Sequence, residues 1–399
     1  MLDRLFRASA VRTSEELARV LARRSTSAAG MDVTPERALA LAAVFSCVRV
    51  LAESVGQLPV HLLEQSGTEK KKATNHPLYE VLHYAPNKRQ TAQEWREWTL
   101  GCLGYKGNAY SQIIRTGPSN RLRVKELYPL HPDAVTPVYD ADADAVSYRV
   151  ALKRSKVDTL PASDVLHIKL PSFDALLGAN PVQHAREAIG LAIGAETFGA
   201  KLFANGAQPG GMLEVPGKLS PEAYKNLKNS VEERQGAENA HRPMILEEGM
   251  KWHTIGMPAA DAQFLETRKY QRSEIAGLYR VPPHLIGDLE RATFSNIEHQ
   301  GLDFVVHTLM PYLTRIEQRA HFQLLTPEER PRYFAKFNVA GLLRGDMQAR
   351  AAFYHSLVQD GAMSPNEIRD REDMNPREGG DIYLTPLNMA VNGKPPADE

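Results

Sequence analysis

The residues with the most obvious chemical potential are a glycine–lysine pair, thirteen histidines, two cysteines and one pair of adjacent carboxylates. Gly211, Gly217 and Lys218 have the outline of a phosphate loop. Such a loop has four residues between its glycines, so that backbone amides converge on the phosphates, and a Ser or Thr after the lysine to hold magnesium. Here five residues separate the glycines, Leu219 follows Lys218, and Pro216 removes an amide donor. No nucleotide site is expected there. His76 and His83 are seven residues apart around a proline, and His131 precedes Pro132. His299 and His307 fall on one face of a predicted helix, but their spacing corresponds to ~12 Å along the axis, too far for one metal ion. Structural histidines are the expected reading. Glu247 and Glu248 are adjacent, so on a strand they face opposite sides and make no acid–base pair. Cys47 and Cys102 lie in apolar segments without a CxxC spacing, which fits buried, reduced thiols. HExxH and GxSxG are absent. No catalytic residue, cofactor or metal is therefore expected.

Composition narrows the partners. The 399-residue chain balances 48 basic against 48 acidic residues. Tight wrapping of duplex DNA through its phosphates asks for a basic surplus, so a chain of this charge is expected to meet DNA without gripping it. No predicted helix combines basic residues with a groove-reading pattern. No apolar run reaches the ~18 residues of a membrane span, and the basic, amphipathic start lacks a secretory apolar stretch. A cytoplasmic product with a mobile basic N-terminus over 1–33 is expected.

The elements that must position any site follow from pattern and punctuation. Thr34, Pro35 and Glu36 start a helix that is predicted to run to Val55 and to end at Gly56. Leu58–Glu64 reads as a strand, and Lys70, Lys71 and Lys72 as a solvated hairpin tip. Thr91 and Glu94 form a capping box for a helix to Tyr105. Strands are predicted at Ala109–Arg115, Val124–Pro129, Val135–Tyr139, Tyr148–Leu152 and Val165–Lys169, giving an α+β unit. Asn180 and Pro181 open one long helix over 181–206, interrupted by Gly190, Gly194 and Gly199. Each glycine costs about 1 kcal/mol of helix propensity relative to Ala, a cost that close backbone approach between helices would offset. A small insert follows, with a helix from Ser220 to Gln235 and strands at Met244–Leu246 and Lys251–Ile255. A second long helix spans 261–280 and stops at Val281, Pro282 and Pro283. Gly287–Ser295 is turn-like, a third long helix from Asn296 to Leu325 is interrupted at Pro311, and a strand at Tyr333–Val339 and helices from Asp346 to Met374 complete the chain.

The order of these elements, and the residues that punctuate them, resemble the portal proteins of tailed bacteriophages, specifically the HK97-type portal family. The likeness spans about residues 34 to 390. It is carried by Val44–Arg49 with Ala52, Glu53, Leu58 and Pro59; by His76–Leu78 with Pro86 and Asn87; and by Gly104–Tyr110 and Leu127–Leu130. Asn205–Gly211, Leu246–Trp252, Asp261–Glu266 and Val281–Gly287 continue it.

The resemblance implies a portal fold with wing, stem, clip and crown regions, closed into a dodecameric ring around a channel at one capsid vertex. The wing would occupy 34–180, the stem helices 181–206 and 261–282, and the clip 207–260. Residues 283–345 would hold the tunnel loop, the long helix and a strand returning to the wing. The crown would lie at 346–385 and a loose tail at 386–399. Asp288, Glu290, Arg291, Thr293, Ser295 and Asn296 would face DNA from the tunnel loop. Gly190, Gly194, Ala195 and Gly199 would pack the stem, and Lys218, Lys225 and Lys228 of the clip would meet partners. The implied partners are double-stranded DNA without sequence specificity, the large terminase, the head–tail adaptor, the major capsid protein and, as a further candidate, a scaffold, with no membrane. The chain would be made in the host cytoplasm and reside in the virion as a non-enzymatic conduit for DNA packaging and ejection. Two competing readings are a nucleic-acid-processing enzyme of unfamiliar type and another ring-forming head–tail connector component. Without the resemblance, Gly287–Ser295 would be read as an ordinary solvated turn.

Overall fold

In the computed structural model the described residues are 26–67, 69–118, 122–151, 157–204, 211–232, 250–254, 260–289, 300–339, 347–372 and 374–384. The expected strand at Met244–Leu246 lies outside them. The first half is built on two antiparallel-sheet layers against a helix pair. The helices are α1 (Pro35–Leu39), α2 (Ala42–Gly56), α3 (Pro77–His83) and α4 (Ala92–Lys106). The predicted single helix to Val55 is broken at Ala40–Leu41, because Leu41 is extended and buried between α1 and α2. Local signals govern the starts: Thr34 Oγ1 accepts from Arg37 N, and Thr91 with Glu94 closes a full capping box.

Eight strands belong to this half: β1 (Val60–Ser66), β2 (Glu69–Lys72), β3 (Asn108–Thr116), β4 (Arg123–Leu130), β5 (Val135–Asp140), β6 (Ala145–Ala151), β7 (Val157–Pro161) and β8 (Val165–Lys169). β3 is central between β4 and β8, and β6 between β5 and β7, all antiparallel. Lys70, Lys71 and Lys72 lie on β2 itself rather than at a hairpin tip. β2 is the edge of its sheet, and exposed lysines keep such an edge from recruiting further strands.

Two further segments continue the chain. The first carries α5 (Pro181–His184) and α6 (Arg186–Ala204), then β9 (Gly211–Glu214), α7 (Pro221–Glu232), β10 (Lys251–Thr254) and α8 (Ala260–Tyr279). The helix predicted as continuous over 181–206 is stepped at Ala185, whose backbone (φ −94, ψ 12) leaves the α region. The second carries a π-helical turn at Phe304–Leu309, α9 (Met310–Leu324), β11 (Tyr333–Phe337), α10 (Met347–Gln359) and α11 (Pro365–Arg371). Pro311 lacks an N–H and would clash with the carbonyl four residues back, so the helix widens before it. On α9, Leu313, Ile316, Ala320 and Leu324 form the buried stripe. β11 then returns to pair with β1, Val60 opposite Phe337 and Glu64 opposite Tyr333. No helix among the described residues is long and apolar enough to cross a membrane.

The core of α2, α3 and α4 is organised around a buried cation. Arg96 is 5 % exposed, and its guanidinium donates to Gly56 O at 3.1 and 2.9 Å and to Leu82 O at 3.2 Å. These carbonyls terminate α2 and α3, where orphan acceptors and the negative helix ends favour a cation. Burial pushes the guanidinium down to about 10, so it stays charged at neutral pH. Gly56 is glycine because the Glu97 side chain occupies the place of its Cβ. Arg96→Leu strips both helix ends of their donor and is expected to destabilise the fold by roughly 3 kcal/mol. Urea unfolding of the variant measures this, and an unchanged midpoint would refute it.

Candidate functional site

The exit of the long helices from the sheet half is set by a close backbone crossing. α4 ends at Gly107 in the left-handed conformation (φ 76). A Cβ there would overlap the carbonyl of Ala179, and one on Gly178 would overlap the carbonyl of Gly107. The loop over 171–179 therefore runs against the end of α4 at a distance only two glycines allow. Asn108 binds it there: Nδ2 donates to Gly178 O at 3.1 Å and to Lys106 O at 3.2 Å, and Oδ1 accepts from Gly178 N at 2.8 Å.

His167 completes this junction and is 2 % exposed. Its Nε2 lies 2.9 Å from Asn108 Oδ1 and its Nδ1 3.2 Å from the Tyr148 hydroxyl. Because Asn108 Oδ1 is an acceptor, Nε2 carries the proton and Nδ1 accepts from Tyr148. The ring is thus neutral, and burial together with Lys169 and Arg319 holds its pKa well below 6.5. Arg319 Nε donates to His167 O, and Gln323 Nε2 to Val165 O, both at 2.9 Å, fastening α9 across β8. Asn180 then caps α5 through Val182 N and Gln183 N. This is a positioning network with no nucleophile in it.

α6 packs along α8, with Arg268 Nη2 3.6 Å from a Glu196 carboxylate oxygen. Of the residues expected to pack the stem, Gly190 and Gly199 are buried and Gly194 and Ala195 half-buried. The approach at Gly190 comes from Ser27 of the same chain, whose side chain fills the Cβ position. Ala28 N donates to Glu187 Oε2 at 2.7 Å, so a turn near the N-terminus clamps the helix. A Cβ on Gly194 would meet only Met31, at ordinary contact distance.

The C-terminal end of α8 is joined to the π turn through Arg280, a non-glycine residue in the left-handed region (φ 54). Val281 N donates back to Ala276 O at 2.9 Å, closing the helix end. Thr308 Oγ1 donates to Arg280 O at 2.7 Å, and Arg280 Nη1 to His307 O at 3.5 Å. His307 O is the carbonyl whose usual helical donor Pro311 cannot supply. Beyond it, Pro283–Ile286 form one 3-10 turn, and Asp288 N donates to Pro283 O at 2.9 Å. Asp288 is thereby placed just past this junction, while Glu290, Arg291, Thr293, Ser295 and Asn296 lie outside the described residues. Lys218, Lys225 and Lys228 are exposed, Lys225 and Lys228 on α7. Sequence reasoning brought none of these three groups together, and the structure keeps them apart in the chain's order.

Cys47 and Cys102 are buried free thiols, pushed up to about 12 by desolvation and hence unreactive. Among the described residues no group of acidic, histidine and cysteine side chains is arranged to hold a metal ion. The described geometry offers scaffolding around a helix pair.

A family model described as phage portal protein matches residues 42–373. The chain belongs to the phage portal protein family. It is 34% identical over 391 residues to a probable portal protein of Streptomyces phage phiC31, covering 93% of this chain and 83% of that one. It is 32% identical over 375 residues to the portal protein of Enterobacteria phage HK97, covering 91% and 87%. In structure it resembles a chain in the neck of a native gene transfer agent particle computed with C12 symmetry, with TM-score 0.56 and 25% identity over 86% of this chain and 92% of that one. The α+β portal fold expected from the sequence is thus the observed one.

The junction at Asn108 carries the testable consequence for this portal-family chain. Asn108→Ala leaves Gly178 N and O and the His167 proton without partners, at about 3 kcal/mol. The expected result is a lower unfolding temperature together with faster amide exchange at the start of α5. Unchanged exchange there would separate Asn108 from the positioning of the helix pair.

Proposed function

We propose that this chain is one subunit of a dodecameric portal ring at a capsid vertex, the channel through which DNA is packaged and later ejected. The observation that carries the reading is the likeness to a neck subunit in a C12-symmetric particle across 86% of this chain. The regions are assigned in that light: the sheet half as wing, α5–α6 and α8 as stem, β9–α7–β10 as clip, and α10–α11 as crown. The energy for translocation comes from a separate terminase that docks on the clip and is later replaced by the head–tail adaptor. The shell protein and a scaffold surround the ring.

The physics of the chain agrees with a conduit. DNA of every sequence must pass, so the wall should read no bases and hold phosphates weakly. The equal numbers of acidic and basic residues limit counterion-release binding, and a loop mixing Asp288, Glu290 and Arg291 would present both signs. The Arg280 junction gives such a loop a fixed root at the end of α8. Capsids assembled in vitro with this chain should take up DNA on adding terminase and ATP, and capsids lacking it should not. Uptake without the chain would contradict the function. In the same assay Arg291→Glu should impair translocation or retention with ring assembly intact; normal packaging by that variant would remove Arg291 from the DNA-facing surface.

A further inference from the structure

The α6–α8 pair leaves two faces without a neighbour in the described chain, and helical geometry puts them on opposite sides of the pair. On α6, Glu196 marks the side toward α8. At about 100° per residue, Leu191 and Phe198 are turned roughly 140° and 200° away from it. They are 50% and 56% exposed. On α8, Arg268 marks the side toward α6; by the same geometry Tyr270 and Gly277 lie roughly 200° and 180° around. Tyr270 is 69% exposed.

The α6 face is extended by a braced aromatic. Phe173 is 84% exposed, and its ring stands edge-on to His184 at 5.8 Å, one heptad before Leu191. The loop that presents it is rigid by construction. Asp174 Oδ1 accepts from Leu176 N and Leu177 N at 2.9 and 2.8 Å, Ala179 N donates to Pro171 O at 2.8 Å, and Ala175 is held at φ 62. Single exposed apolar residues need no explanation, but a line of them on a strained, cross-braced support marks a contact surface. The α8 face shows the complementary feature. Gly277 costs helix propensity relative to Ala, yet a Cβ there would meet nothing of the described chain within 4 Å. Its own fold supplies no reason for the glycine; an outside group approaching the helix backbone does.

We propose that the Phe173–Leu191–Phe198 face of one copy packs against the Tyr270–Gly277 face of the next copy. This rests on the ring assignment above and names its contact. A closed ring needs a heterologous interface, in which two different surfaces of the same chain meet and the relation repeats. Faces on opposite sides of one helix layer meet that requirement, and the C12 symmetry of the gene transfer agent neck points to the second copy as occupant. Exposed aromatics facing a glycine-lined helix suit the fully buried centre of such an interface.

Gly277→Leu is the sharpest test, because the free chain has room for the side chain and the helix gains propensity. Phe198→Glu is the second variant, at a position already exposed. Mass photometry gives the ring population and thermal unfolding the stability of the free chain. Both variants should keep the wild-type unfolding temperature and lose rings by at least about tenfold, a loss on the scale of one interface hot spot. Should Gly277→Leu unfold early, Phe198→Glu decides alone. Rings at wild-type yield from the deciding variant would overturn the proposal and give the faces to a partner other than this chain. A wild-type chain that stays monomeric in the same conditions would overturn the ring assignment and the proposal together.

Discussion

Two glycines meeting back to back decide how this chain leaves its sheet. Gly107 ends α4 in the left-handed conformation, and Gly178 passes so close that neither position has space for a Cβ. The gap is sealed by Asn108, which supplies the hydrogen bonds a neighbouring strand would otherwise give. Everything beyond depends on that crossing: the braced loop over 171–179, the cap at Asn180, and the direction of α5 and α6. A side chain at either glycine would push the helix pair away from the sheet half, and a change of a few ångströms at that root grows along a helix of nineteen residues.

The buried charges of the molecule serve this same purpose of fixing one half against the other. Arg96 holds the ends of α2 and α3, and Arg319 and Gln323 fasten α9 to β8. Arg280 ties the end of α8 to the carbonyl that Pro311 leaves without a helical donor. Each cation is matched to carbonyl groups at an irregular point of the backbone, where orphan acceptors collect. These side chains brace the fold, and a chain with no net charge has little basic surplus left for gripping a polyanion.

What was legible in the sequence was local or familial. The Thr91–Glu94 capping box, the Asn180–Pro181 helix start and the interruption at Pro311 are decided within a few residues and could be read directly. β7 could not, because Val157 and Leu160 are its only apolar side chains besides Pro161. The strand placement of Lys70, Lys71 and Lys72 depends on β1, and β1 in turn on β11, more than 260 residues away. The break at Leu41 follows from tertiary burial, which no cap announces. Gly190 illustrates the limit well: the spacing suggested helix packing, whereas its Cβ position is filled by Ser27 from near the N-terminus. Gly107 and Asn108 stood in a motif shared with the portal family, but their physical role needed the loop at Gly178, seventy residues on.

Native mass spectrometry of the purified chain is the most direct test of the central claim that it builds a ring. A portal subunit should give one dominant closed species near about twelve times the 44.4 kDa chain mass, with no ladder of open intermediates. A single 44.4 kDa species at every concentration and salt would contradict it.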